Sequence, residues 1–266
     1  MQLYRGMHVG TAKMSVDERR GIPHHLLDVL DVTESASVAR YQNEARAAID
    51  EIGSRGLTPI LVGGSGLYVS AVLYDFQFPG TDPLVRRRFE AEREQDGVAA
   101  LAARLQLIDP GAAAAIGPHN SRRIVRALEL HETTGRSTSG TLPDQAVPRL
   151  PTTVIGLAAS REALVTRINE RVTEMWRAGL LAEVRHLVDD GLKNGTTARR
   201  AIGYSQALAE LAGELTTPEA IAQTQFLTRR LARRQVSWFR RYPRTVWIDH
   251  DHPELVDAVS EAFRSP

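Results

Sequence analysis

Thr58-Pro-Ile-Leu-Val62 runs into Gly63-Gly64-Ser65-Gly66 and then into the helical pattern Leu67–Tyr74. Strand, glycine turn and helix in that order make one half of an α/β unit. The glycines around Ser65 allow a sharp turn and a close approach by another group, and the helix behind them offers free N–H groups to an anion. Tight strand-to-helix turns also need glycine for steric reasons, so ligand approach and packing are both open here. The turn is not a P-loop, because no G-x-x-x-x-G-K-[ST] occurs in the chain.

Upstream of this stretch, the segment to Ile22 is polar and aperiodic, which predicts loops and turns. Leu26–Val32 is an apolar run suited to a buried strand or its approach, and Val38–Ile52 has a helical pattern. Downstream the character changes. Asp82-Pro83 is a good N-cap and first-turn pair for a charged helix through Glu94. Further helices are expected at Val98–Leu107, after Asp109-Pro110, and at Ser121–Thr133, with no strand candidate between them. Residues 80–140 therefore read as an all-helical insertion, closed by the Gly/Ser/Thr/Pro-rich stretch Gly135–Pro151.

The α/β pattern resumes with a strand at Thr153–Leu157 and helices at Arg161–Met175, Leu180–Val188 and Tyr204–Leu211. Thr217-Pro-Glu219 opens a long helix to about Arg241, whose Leu227, Leu231 and Trp238 form one apolar stripe. Thr245–Asp249 reads as a last strand. The expected organisation is an α/β core in two parts, 1–79 and 141–266, interrupted by the insertion at 80–140.

At 266 residues, 42% apolar, with a mean hydropathy of -0.25, the chain suits a soluble protein with a substantial core. No apolar window is long enough for a membrane span, and no basic-then-apolar leader follows Met1. The absence of cysteine excludes disulfides and thiolate metal sites and suits the cytoplasm. The net charge of +1 conceals two asymmetries. Only Lys13 and Lys193 among the 33 basic residues are lysines, a bias that phosphate recognition and a GC-rich genome explain equally. Phe226–Arg244 holds seven arginines and no acid, while Asp249–Glu261 is acidic.

Several arginine groups are candidates for anion binding. Arg122 and Arg126 share a helix face, with Arg123 beside them and Ile124 and Leu128 turned inward; an RNA phosphate clamp and a solvated face both fit. Arg230 and Arg234 fall on one side of the long helix with Arg233 adjacent, and seven unbalanced cations favour a polyanionic partner. The pair Arg167 and Arg171, and Arg200 ahead of a tight turn, suit a pyrophosphate or a plain helix surface. His24 and His25 are adjacent, so they cannot share a helix face as metal ligands and read as structural; no residue is assigned to a metal.

Six segments in order resemble the tRNA dimethylallyltransferase (IPP transferase) family: Met1-Gln-Leu-Tyr-Arg-Gly-Met-His-Val-Gly-Thr-Ala-Lys13, Ile22-Pro-His-His-Leu-Leu-Asp28, Leu61-Val-Gly-Gly-Ser-Gly-Leu-Tyr68, Arg122-Arg-Ile-Val-Arg-Ala-Leu-Glu129, Arg200-Ala-Ile-Gly-Tyr204 and Arg233-Arg-Gln-Val-Ser-Trp238. The resemblance implies a P-loop-kinase-like parallel α/β core with a helical insertion that grips the tRNA anticodon stem-loop. It implies transfer of a dimethylallyl group from dimethylallyl diphosphate, with Mg²⁺, to N6 of adenine 37 in tRNAs reading codons that begin with U, by a cytoplasmic monomer.

Carried over by position, Ser65 contacts the target adenosine and Arg86 contacts tRNA, as does the run Arg122, Arg123, Ile124, Val125, Arg126. Arg230, Arg233 and Arg234 extend that surface. Arg200 lies near the leaving group, and Arg167 and Arg171 resemble lid arginines of the wider superfamily. In the family the Met-Gln-Leu-Tyr segment is internal and follows a strand, the P-loop, a helix and a general-base aspartate. None of these is in this sequence, so the expectation is an in-frame extension ahead of Met1 that supplies them, and no turnover without it. A catalytically inactive RNA-binding remnant would share every motif above. An enzyme prenylating free adenine nucleotides would need neither the insertion nor the basic helix.

Overall fold

The computed structural model of the chain describes residues 1–135 and 147–264. It comprises two compact units, Met1–Tyr74 with Pro148–Pro266, and Asp75–Val147.

The first unit begins with loops and short 3-10 turns, then α1 (Val38–Ser54) and α2 (Gly66–Leu73). Ser37 starts α1 by accepting the Arg40 N–H. Gln42 and Arg46 of α1 reach across to the end of α2, donating to the carbonyls of Ala71 (2.7 and 3.1 Å), Val72 (3.3 Å) and Tyr74 (2.7 Å). The last carbonyls of a helix have no partner within it, so these bonds satisfy them and pin α2 in place. Leu30, from the run expected to lie near a strand, makes one parallel bridge to Tyr4, and Leu30 and Val32 are buried.

The second unit is built from α3 (Pro83–Ile108), α4 (Pro110–Ile116) and α5 (Ser121–Thr134), capped by the side chains of Asp82, Asp109 and Asn120. Gly97 (φ 83°, ψ 166°) breaks α3, which is why the sequence reads there as two helices. Phe89, Leu101, Leu105, Ile124 and Leu128 form the core of this unit. Of the stretch Gly135–Pro151 expected to close the insertion, 136–146 lie outside the described residues.

Back in the first unit, β1 (Ile155–Ala158) leads into α6 (Arg161–Arg177), α7 (Leu180–Asp189), α8 (Tyr204–Leu211) and α9 (Thr217–Phe239), then β2 (Val246–Asp249) and α10 (Leu255–Arg264). β1 and β2 pair in parallel, Ile155 opposite Val246, and the intervening helices form the long crossover that parallel pairing requires. Tyr4, Met7, Val184, Leu187 and Tyr204 are central to the core.

One expectation needs correction, and one helix was not foreseen. Thr58–Val62 forms no strand, and Ile60 and Val62 are 81% and 85% exposed. A β-prone segment becomes a strand only where a neighbour completes its ladder, and among the described residues none pairs with it. The acidic tail, read only for its charge, forms α10, whose signal was the helical spacing of Leu255, Val259 and Phe263. Among the described residues no helix is long and apolar enough to cross a membrane.

Candidate functional site

Ser65 is the N-cap of α2, yet its hydroxyl makes no capping bond and its side chain is exposed. Serine at this position usually bonds a first-turn N–H; here the hydroxyl is left available. The flanking glycines have a packing reason. A Cβ on Gly64 would collide with the Gln235 amide of α9, and one on Gly66 with the Trp238 ring. Trp238 Nε1 donates to Ser70 Oγ (3.0 Å), Ser70 also bonds the Tyr242 hydroxyl, and Tyr242 stacks on Tyr74 with centroids 5.1 Å apart. The Ser65 turn, α2 and the end of α9 are thus one packed piece. Close packing accounts for Gly64 and Gly66 and presents Ser65 at the surface.

The α9 arginines fall into two groups. Arg229 donates to Asn169 Oδ1 (2.7 Å) and, with Gln225 on the Asn169 carbonyl (3.1 Å), ties α9 to α6. Arg230, Arg233 and Arg234 are exposed and have no acidic partner among the described residues. Arg230 lies over the Phe226 ring (5.7 Å) and Arg241 over Trp238 (5.3 Å), which holds both guanidinia on the helix surface while leaving their charge unneutralised. This uncompensated stripe runs up to the residues on which the Ser65 turn rests.

Arg167 and Arg171 of α6 line an open cavity of about 610 Å³ with Glu170, Glu174, Arg177 and Gln225. The two glutamates partly offset its charge. Arg200 ends a 3-10 turn, exposed. The motif it opens has a structural end: the buried Tyr204 hydroxyl donates to Glu183 Oε1 (2.6 Å), and Glu183 Oε2 accepts the N–H groups of His8 (3.0 Å) and Val9 (2.7 Å). Burial, and then the neighbouring carboxylate, push the Tyr204 phenol far above its ordinary range, so it remains a donor. The motifs around Tyr204 and around His8 are therefore two halves of one contact. Lys13, also buried, donates to the Tyr4 carbonyl (2.6 Å) and to Asp28 (2.5 Å). His24 and His25 are exposed.

In the helical unit, Arg122 and Arg123 are exposed without an acidic partner among the described residues. Arg126, one turn on, is committed: it donates to the carbonyls of Pro79 (2.5 Å) and Gly80 (3.1 Å) and to Thr81 (3.3 Å), and pairs with Glu129 (2.8 Å). Ile124 and Val125 are buried, so their side chains belong to the core and not to a binding surface. Arg86 faces Glu129 at 3.2 Å. Of the arginines in this run, Arg122 and Arg123 are thus the ones left without an internal partner among the described residues. Arg122→Ala is expected to flatten the slope of log K against log salt for tRNA by about 0.7 to 0.9, one phosphate's worth. Arg126→Ala is expected to lower the melting temperature first, since its removal leaves Glu129 underpaired.

Among the described residues no three His, Asp or Glu side chains gather to hold a metal.

The family model for IPP transferase matches residues 2–242. The chain belongs to this family. It is similar to the tRNA dimethylallyltransferase of Leifsonia xyli subsp. xyli, at 61% identity over 97% of this chain and 98% of that one. It is similar also to that of Thermobifida fusca, at 58% identity over 97% of this chain and 80% of the relative. Among solved structures, a eukaryotic dimethylallyltransferase acting on tRNA superposes with a TM-score of 0.82 at 27% identity, over all of this chain and 71% of that one. The tRNA isopentenylpyrophosphate transferase of Bacillus halodurans superposes with a TM-score of 0.68 at 39% identity, over 99% and 86%. The fold is the P-loop-kinase-like α/β fold of these IPP transferases, with its helical unit. Within the family's motifs, Gln235, Trp238 and Glu129 were visible in sequence, but their roles as support for Ser65 and as the partner of two arginines depend on contacts distant along the chain.

Proposed function

We propose that this IPP transferase moves the dimethylallyl group of dimethylallyl diphosphate onto N6 of adenine 37 in tRNAs that read codons beginning with U. Family membership and the names of the relatives support prenyl transfer to tRNA. The single structural observation that carries the reading is the free Ser65 hydroxyl, held on a turn that rests on the unneutralised arginine helix α9. A hydrogen-bonding group that could meet a base, close to cations that could meet a nucleic-acid backbone, supports the reading.

The reaction forms the N6–C1 bond, breaks the C1–O bond to diphosphate and releases one N6 proton. The N6 lone pair is delocalised into the ring, so the adenine must leave its stack and be oriented before it can attack. Ser65 would hold the extruded base. Arg230, Arg233 and Arg234, with Arg86, Arg122 and Arg123, would hold RNA phosphates. Arg200, Arg167 and Arg171 are the candidates to take up charge on the departing diphosphate.

Protein expressed from its complete reading frame is expected to move label from dimethylallyl diphosphate into tRNA, with none entering free AMP or a tRNA whose adenine 37 is replaced by guanine. Labelling of AMP at a comparable rate would reject the tRNA assignment. Tight tRNA binding without any transfer would support the RNA-binding alternative instead.

A further inference from the structure

We propose that Glu129 is a positioning residue for the RNA-facing surface of the helical unit, holding Arg86 on α3 through charge while fixing the approach to that helix through Arg126. The inference rests on the reading of Arg86 as an RNA contact.

Glu129 lies on α5 among buried apolar neighbours, and its side chain has no exposure. Removing a carboxylate from water is costly unless it is paired, and a well-packed apolar residue there is often neutral or stabilising by comparison. A charge at this place therefore calls for a reason beyond packing. Its contacts supply one. Oε1 accepts the Asp82 N–H (3.0 Å), at the cap of α3, and stands 2.8 Å from Arg126. Arg126 in turn holds the carbonyls of Pro79 and Gly80, so the segment entering α3 is tied to α5 on both sides of the carboxylate.

Oε2 differs. It is buried without a hydrogen bond, and the cation paired with it among the described residues is the Arg86 guanidinium at 3.2 Å. Arg86 is therefore attracted to Glu129 without being saturated by it. Its side chain is one-third exposed and no other partner is found for it among the described residues. One end of the guanidinium is anchored by charge, and its remaining donors are free for a phosphate, whose oxygens match the planar fork. Arg126 has no such freedom. The same carboxylate thus does two different things: it closes a structural pair with one arginine and presents the other. Arg88 and Glu132 provide a comparison on the same two helices, a pair whose carboxylate is exposed and touches neither Arg86 nor the cap.

A double-mutant cycle on binding of a tRNA anticodon stem-loop tests this at 0.1 M salt, with melting temperatures measured in parallel. Arg86→Ala should weaken binding about five- to tenfold, the loss of one phosphate contact. Glu129→Gln, which keeps an acceptor for the Asp82 N–H but removes the charge, should weaken it about three- to tenfold. In the Arg86→Ala background the same change should cost less than about twofold, because the two residues act through one contact. Glu132→Gln should leave binding unchanged. If the glutamine variant melts below the assay temperature, Glu129→Asp, which withdraws the charge by one methylene, goes through the same cycle. Losses that multiply in the double variant, or full binding by Glu129→Gln while Arg86→Ala is weak, would overturn the proposal for Glu129. Full binding by Arg86→Ala would instead overturn the reading of Arg86 as an RNA contact.

Discussion

Replacing Arg230, Arg233 and Arg234 together with alanine is expected to weaken tRNA binding by roughly a hundredfold to five-hundredfold in 0.1 M salt. Each phosphate neutralised by an exposed cation releases counterions and contributes about 0.7 to 0.9 to the slope of log K against log salt. Three such contacts give a slope change of about 2.1 to 2.7, and at 0.1 M that change is the predicted loss of affinity. The three side chains are exposed and have no acidic partner among the described residues, so their removal leaves no buried charge behind. The melting temperature should hold, or rise slightly as repulsion along α9 is relieved. Arg229→Ala is the contrasting variant: its guanidinium bonds Asn169, so it should cost stability before it costs affinity. A titration of the triple variant over a range of salt, with a slope equal to that of the parent, would remove α9 from the RNA-binding surface.

The second large effect is expected at the glycine turn, where neighbouring residues should respond in opposite ways. Ser65→Ala should lower kcat/KM about ten- to a hundredfold, the order of one hydrogen bond lost near the transition state. Its hydroxyl caps nothing, so the melting temperature should barely move. Gly66→Ala should do the reverse at first: the new methyl group meets the Trp238 ring, and relief requires shifting α2 or breaking the Trp238–Ser70 bond. Overpacking of that kind costs about 1 to 3 kcal/mol. Activity should fall as a consequence, since the turn that carries Ser65 is displaced with it. Steady-state kinetics and thermal melts of both variants separate the roles. A Ser65→Ala protein with normal kinetics and a sharply lowered melting temperature would make the serine a turn residue and nothing more.

Most of the helical structure was legible in the sequence, because its determinants are local. Ser37, Asp82, Asp109 and Asn120 cap the helices they precede, Gly97 breaks α3, and the apolar spacing of Ile124 and Leu128 marks the buried face of α5. The acid-free arginine run is likewise a property of composition, and the ordered motifs were sufficient to point to the IPP transferase family.

What the sequence determined by itself stops where an outcome depends on a distant partner. Thr58–Val62 has the composition of a strand, but a ladder needs a neighbour, and it runs unpaired. Arg122 and Arg126 occupy the same face of one helix and are indistinguishable by periodicity; only the fold brings Pro79, Gly80 and Thr81 to Arg126 and leaves Arg122 bare. Gly64 and Gly66 look like a ligand cradle until Gln235 and Trp238, some 170 residues later, are found in the space their side chains would need. Glu129 reads as one more charge in a motif, and its burial between two arginines exists only once α3 and α5 have packed. Local sequence sets which conformations and charges are available, because caps and periodicity act over a few residues. Tertiary structure decides which of those groups are satisfied internally and which remain free for a ligand, because each pairing is made across the core.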